Sequence, residues 1–265
     1  LTKDYCTFVG INAGSGTTTG INNTYIGASA AKNSSTGYYN VVVGNNAGNY
    51  LSGSTEYTAI GYYAGAYVSG NYNTFGGAFS GYGDTTQTTN SAHSNAAWGW
   101  STLRTVTSGD RNAALGYNAG RNVTTGDNNT FVGKDAGLTN TTGGGNVFIG
   151  YLAGSDVAAD GDNKLFIANA AGTPLIGGDF SADEIYLNGD VGIGTTSPAT
   201  PLHVSGASSQ LRLSFSSTKY TDLYTDSNGD FFIDNTGGPG DDIFIQGYDN
   251  TIIKLRTSST NGSVL

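Results

Sequence analysis

The chain has 265 residues and a net charge of −9, with 42 glycines, no methionine and only 12% charged residues. So acidic a chain lacks the basic footprint that nucleic-acid phosphates demand, gains nothing from an anionic membrane, and has no apolar run of about 18 residues that could insert. Its hydrophobic fraction of 37% is low for a thick core, yet 17 Tyr and 11 Phe argue against disorder.

Backbone ladders around a thin core fit this composition, and helices do not. Glu56 and Glu184 are the only glutamates, and no stretch of a dozen residues shows the apolar spacing of a helix. The expected fold class is all-β. Cys6 stands alone, so no disulfide within the chain and no cysteine metal cluster is possible.

From the start to about residue 155 the chain repeats. An apolar residue followed by an anchor glycine recurs at Gly10, Gly27, Gly44, Gly61, Gly77, Gly99, Gly116, Gly133 and Gly150, with gaps of 17, 17, 17, 16, 22, 17, 17 and 17. Four residues before the anchor stands Asn23, Asn40, Asn73, Asn95, Asn112, Asn129 or Asn146, with Cys6 and Tyr57 as exceptions. Stacked Asn side chains bond along a ladder, and Asn tolerates a left-handed turn. The two residues before the anchor, such as Phe131-Val132 and Phe148-Ile149, read as a short strand with one side chain inward and one outward. Three residues after it come Ala13, Ala30, Ala47, Ala64, Ala119, Ala136 and Ala153, as at a tight interior corner. Pairs such as Thr36-Gly37 and Thr125-Gly126 mark the closing turn. One unit cannot bury its apolar face alone, but stacked units can, and nine coils would make a β-roll or β-solenoid about 40 Å long.

The long gap, between Gly77 and Gly99, reads as a loop insertion from Gly83 to Ser94, followed by Trp98-Gly99-Trp100. Insertions in a regular stack protrude and carry binding, which makes His93, Trp98 and Trp100 the candidate contact residues. Residues 156–206 read as a cap and connector, and 207–265 as a C-terminal β-module cut off in mid-strand. Its expected strands are Leu211 to Phe215, Phe231 to Ile233, Ile243 to Gln246 and Ile252 to Leu255.

The repeat Asn129-Thr130-Phe131-Val132-Gly133 through Asn146-Val147-Phe148-Ile149-Gly150 resembles phage-type tail-fibre proteins. So does Val191-Gly192-Ile193-Gly194-Thr195-Thr196-Ser197-Pro198, with Pro201-Leu202-His203-Val204 after it. The heads of trimeric autotransporter adhesins are similar, with a shorter repeat. This resemblance covers most of residues 5 to 206 and implies a homotrimeric, extracellular fibre on a virion or cell surface. It also implies a self-cleaving chaperone of the endosialidase type following such a connector.

Other site chemistry is thinner. A glycosidase needs two carboxylates across a groove, whereas the neighbours Asp183-Glu184 and Asp241-Asp242 point to opposite strand faces. His93 and His203 have no nucleophile partner in a known motif, so no catalytic residue is assigned. No cofactor is expected. Calcium is a candidate at Asp226-Ser227-Asn228-Gly229-Asp230 and at Asp156 with Asp160-Gly161-Asp162, where Asx turns account for the residues equally well. Tyr62, Trp100, Tyr117 and Tyr151 share a water-facing column suited either to stacking on sugars or to packing between subunits. The expected function is a structural and adhesive fibre segment whose partners are its own copies and a cell-surface glycan or protein. A bacterial surface adhesin or filament subunit is the alternative. An ice-binding solenoid, suggested by Thr18-Thr19 and Thr124-Thr125, and a tailspike glycosidase stand behind it.

Overall fold

The computed structural model describes residues 4–85, 90–206, 211–216, 219–225, 227–229 and 231–236. The chain divides into two units, Leu1–Gly189 and Asp190–Leu265.

The first unit is a β-solenoid. Its strands are β1 (Thr7–Val9), β2 (Thr24–Ile26), β3 (Val41–Val43), β4 (Thr58–Ile60), β5 (Thr74–Gly76), β6 (Ala96–Trp98), β7 (Ala113–Leu115), β8 (Thr130–Val132), β9 (Val147–Ile149) and β10 (Lys164–Ile167). Each pairs with the next in parallel, like residue against like: Thr7 faces Thr24, Phe8 faces Tyr25, and Phe131 faces Phe148. The expected repeat of about 17 residues is therefore the coil of a stack about nine turns long. β10 continues that stack beyond the last anchor glycine, because Phe166 pairs with Phe148 at a spacing of 18 and Ala168 replaces the anchor. The sheet then turns antiparallel into β11 (Ile176–Asp179) and β12 (Glu184–Leu187).

Counting positions from the anchor glycine as 0, each part of the coil has a physical cause. The mid-strand residue at −2 points inward, and Tyr25, Val42, Phe75, Phe131 and Phe148 are fully buried there. Burying one such side chain contributes about 2 kcal/mol. Where −2 is only alanine, another side chain fills the space: fully buried Tyr57 beside Ala59, and Leu103 in the coils of Ala97 and Ala114. Interiors pack at constant density, so volume is conserved across coils even when residue type is not. Leu51, Val68, Val106 and Val123 at +7 close the core from the other side.

The anchors are glycine for two reasons at once. Their φ runs from 113° to 138°, and a Cβ on Gly116 would lie 2.6 Å from the carbonyl oxygen of Gly133 in the next coil. Two residues on, position +2 is left-handed in every coil, whether it holds Asn12, Tyr63, Phe79 or Leu152 (φ 53–59°). Its N–H donates to the +1 carbonyl of the preceding coil, as Phe79 does to Tyr62 at 2.9 Å, and that bond holds bulky residues where sterics disfavour them.

The second unit contains a parallel pair, β13 (Val191–Ile193) with β14 (Leu202–Val204), and an antiparallel meander of β15 (Leu211–Ser216), β16 (Lys219–Thr225) and β17 (Phe231–Thr236). Across the meander Arg212 donates two hydrogen bonds to Asp222, at 2.7 and 2.6 Å. The strands expected at 243–246 and 252–255 lie outside the described residues, as do Asp226 and Asp230 of the first calcium candidate.

Candidate functional site

The Asn residues at −4 form a buried ladder. Asn95 Oδ1 accepts the N–H of Asn112, Asn112 Oδ1 that of Asn129, and Asn129 Oδ1 that of Asn146, each at 2.9 Å. Each Nδ2 donates to the closing turn of the following coil: Asn112 to the Gly126 carbonyl and Asn129 to that of Gly143. Asn23 and Asn40 use the same bonds toward Asn40 and Tyr57, and Asn73 toward Asn95. An amide serves because one side chain offers both an acceptor and a donor, and here Oδ1 and Nδ2 both engage the following coil. Asn146 passes the chain of bonds to Lys164 in the tenth coil. This column is structural and offers nothing to solvent.

A second ladder runs at −6, and sequence reading gives no sign of it. Thr55 N–H donates to Asn71 Oδ1, Asn71 N–H to His93 Nδ1 at 2.9 Å, His93 N–H to Asp110 Oδ1, and Asp110 N–H to Asp127 Oδ1. Four consecutive coils thus share one device, an acceptor atom reaching back to the amide of the coil before, and after a break at Gly144 it recurs in a fifth, where Asp162 accepts the Gly144 N–H. His93 is half-buried and its Nδ1 is occupied by this bond.

The insertion is shorter than the sequence suggests. Asn90 already sits in the stack, with its carbonyl accepting the Ser69 N–H. Its Nδ2 donates to the carbonyls of Tyr67 and Asp84, both at 2.8 Å, and so clamps the base of the loop. Ala92 stands where other coils have the closing glycine and accepts from Asn73 Nδ2. The 22-residue coil exceeds the common 17 by five residues, and the excess falls within 84–89.

Trp98 and Trp100 belong to different surfaces. Trp98 projects from the strand face and covers Gly76, where any Cβ would fall inside its ring. Trp100 lies in the +1 column, stacked on Tyr117 with centroids 4.7 Å apart and planes at 11°. Rings on successive coils lie at strand spacing, so their faces are taken up by one another. Lys134 Nζ stands 6.0 Å from the Tyr117 centroid and 5.1 Å from that of Tyr151. Phe79 meets Trp100 edge-on at 6.4 Å and continues the cluster through Tyr62, Tyr63, Tyr82, Tyr67 and Tyr50, mostly edge to face. Burial, and then the neighbouring Tyr82 hydroxyl, push the Tyr67 phenol up to about 12.

The strand face is the open apolar surface. Position −1 holds Val9, Ile26, Val43, Ile60, Gly76, Trp98, Leu115, Val132 and Ile149, and −3 holds Thr, Val or Ala, so neither outward column of β1–β9 carries a charge. Val9 and Leu115 are each 56% exposed and Trp98 is 47%. At one rung per about 4.8 Å this stripe is about 40 Å long.

Half a coil from the strands, beside the insertion, lies a cavity of about 580 Å³ bounded by Tyr82, Asp84, Arg104, Thr107, Thr124 and Thr125. The Arg104 guanidinium carbon lies 5.3 Å from the Phe79 ring centre and 5.7 Å from that of Tyr82. Thr107 and Thr124 hydroxyls donate to the Thr124 and Thr141 carbonyls of the next coil at 3.0 and 3.1 Å, and Thr18 does the same to Ser35. These Thr hydroxyls are engaged along the stack.

Among the described residues no three His, Cys, Asp or Glu side chains gather where they could hold a metal, and no helix is long and apolar enough to cross a membrane. Asp162, of the second calcium candidate, accepts the Gly144 N–H. In the closing hairpin the Lys164 ammonium, with Ser181, holds the Asp179 carboxyl well below the usual range. The chain matches no protein family, no curated protein and no solved structure.

Proposed function

We propose that the chain is a structural and adhesive segment of an extracellular fibre, a homotrimer that gives reach and attaches to a cell-surface glycan or protein. The observation that carries this reading is the uncharged stripe on the strand face. A strip of about 40 Å by 10 Å, about 400 Å², is the size of the largest apolar patch on a typical monomer, and patches of that size are often functional. A row of apolar side chains at one-rung spacing is matched in rhythm by the same row on another copy. Trp98, laid over Gly76, keeps the row unbroken at the one coil that lacks a side chain there. The resemblance of the repeats and of Val191–Pro198 to tail-fibre proteins supports the same assignment. No catalytic step is proposed.

Light scattering tests the assembly. The wild-type chain is expected as a trimer at micromolar concentration, and Leu115→Asp combined with Ile149→Asp is expected to weaken association by at least about a hundredfold, roughly 2.7 kcal/mol. The variant should retain its β circular dichroism, because both side chains lie outside the core. A folded wild-type monomer at that concentration refutes the assembly, and so does a double variant that still forms trimers.

A further inference from the structure

We propose that the cavity beside the insertion binds an acidic saccharide, a sugar bearing a carboxylate, with Arg104 as the residue that selects for the acid. This deepens the attachment reading above, and rests on it, by naming the ligand class and the place.

The argument begins with Arg104. It is half-buried, makes no ion pair among the described residues, and none of its side-chain N–H groups has a hydrogen-bond partner there. A guanidinium carries five donors in a rigid fork suited to a carboxylate. Here the fork is held over two rings, which fixes its direction and lowers the entropy lost on binding. In the stack Arg111, Lys134 and Lys164 are each paired with an Asp, whereas Lys32, Arg104 and Arg121 make no ion pair among the described residues, and of these three only Arg104 lines the cavity.

The rest of the wall sets the ligand's chemistry. Thr107 and Thr124 have their hydroxyl protons committed to carbonyls of the next coil, so these oxygens can only accept. A matching ligand therefore brings several hydroxyl donors for the Thr wall and one anionic acceptor for Arg104. A free phosphate has too few donors, and an extended acidic peptide turns a backbone N–H to a given side only at every second residue, whereas an acidic sugar carries several adjacent hydroxyls and a carboxylate. The chain's net charge of −9 opposes an anion at long range, where physiological salt screens the field beyond about 8 Å, and the Asp84 carboxylate on the same wall opposes it at short range, so the ligand's acid group must sit on the Arg104 side of the cavity. Arg121 stands one coil away from Arg104 in the same +5 column and favours the anion locally. The site lies on the coil half remote from the stripe, so assembly through the strand face leaves it open.

Titration calorimetry of the full chain with oligomers of galacturonate and of glucuronate, each beside its methyl ester, tests the site. The wild type is expected to bind at least one of the acids, and its ester about tenfold or more weakly, as befits a charge-assisted fork. Arg104→Gln should lose about tenfold toward that acid and be indifferent to esterification, and Arg104→Lys should recover only part. Arg121→Gln, outside the wall, should stay within about threefold of wild type. Equal binding of acid and ester by the wild type overturns the proposal. So does undiminished binding by Arg104→Gln, or no binding of either acid at about 10 mM. Light scattering on the same samples separates the two readings: a trimer that does not bind refutes the site alone, and a monomer that binds refutes the fibre assembly alone.

Discussion

Gly116 faces two independent obstacles to any side chain, a φ of 137° and the Gly133 carbonyl, whereas Gly172, at φ 99°, has no atom within 4 Å of where a Cβ would be. Gly172→Ala therefore meets only backbone strain and is expected to cost about 1 kcal/mol, while Gly116→Ala should cost about 3 kcal/mol or more because the next coil must also move. Equal shifts in thermal unfolding would refute the close approach of successive anchors. Tyr57 makes a pH prediction. Its hydroxyl is buried, donates to the Gly65 carbonyl at 3.0 Å, and titrates well above its ordinary value because burial disfavours the phenolate. A raised folded-state value adds stability that is fully present below the unfolded value of about 10 and lost as pH climbs above it. Tyr57→Phe should thus lose about 1 kcal/mol at neutral pH with the hydrogen bond, yet melt with a shallower decline between about pH 10 and 12. An unchanged alkaline slope counts against Tyr57 as a source of that decline. Residue-level legibility was uneven for a physical reason. The −4 column repeats one residue type and could be read directly, whereas Asn71, His93, Asp110 and Asp127 share only an acceptor atom, which no residue-type pattern reveals. Tyr63, Phe79 and Leu152 gave no hint of left-handed backbone, since the bond that holds them there comes from a neighbouring coil.

At the scale of the element, the coil tolerates excess only where the stack makes no demand. The insertion leaves after Gly83 and is closed by Asn90, which bonds to both Tyr67 and Asp84. Excising Thr85–Thr89 restores a 17-residue coil and should leave β circular dichroism intact and stability within about 1 kcal/mol, because loop closure depends only weakly on length. Removing 84–93 instead takes Asn90, Ala92 and His93 out of the ladders and should unfold that coil. A five-residue excision that destroys the fold would show that the extra residues belong to the stack. The apparent loop of Gly83 to Ser94 was too long because Asn90, Ala92 and His93 occupy coil columns in which other coils carry different residues. The tenth coil escaped for the same kind of reason: an 18-residue spacing and Ala168 in place of the anchor hide it, while the pairing of Phe166 with Phe148 reveals it.

Among the described strands of the first unit each pairs only with its neighbours in the stack, so stability sums over rungs and interfaces rather than over one centre. A stack of this kind has room on one flank for the proposed association and on another for the proposed ligand. If copies join along the stripe, the melting temperature should rise with protein concentration, since association draws on the folded form alone. The like-on-like register has a further consequence. Because Asn112 meets Asn129 as Asn129 meets Asn146, and Gly116 meets Gly133 as Gly133 meets Gly150, these rungs present the same Asn and anchor-glycine contacts above and below. An in-frame duplication of 17 codons would therefore slot one more rung into the rod, about 4.8 Å of length, without asking any other residue to change. Length in such a molecule is a copy number, adjustable in whole steps by slippage during replication and independent of whatever the flanks have come to recognise.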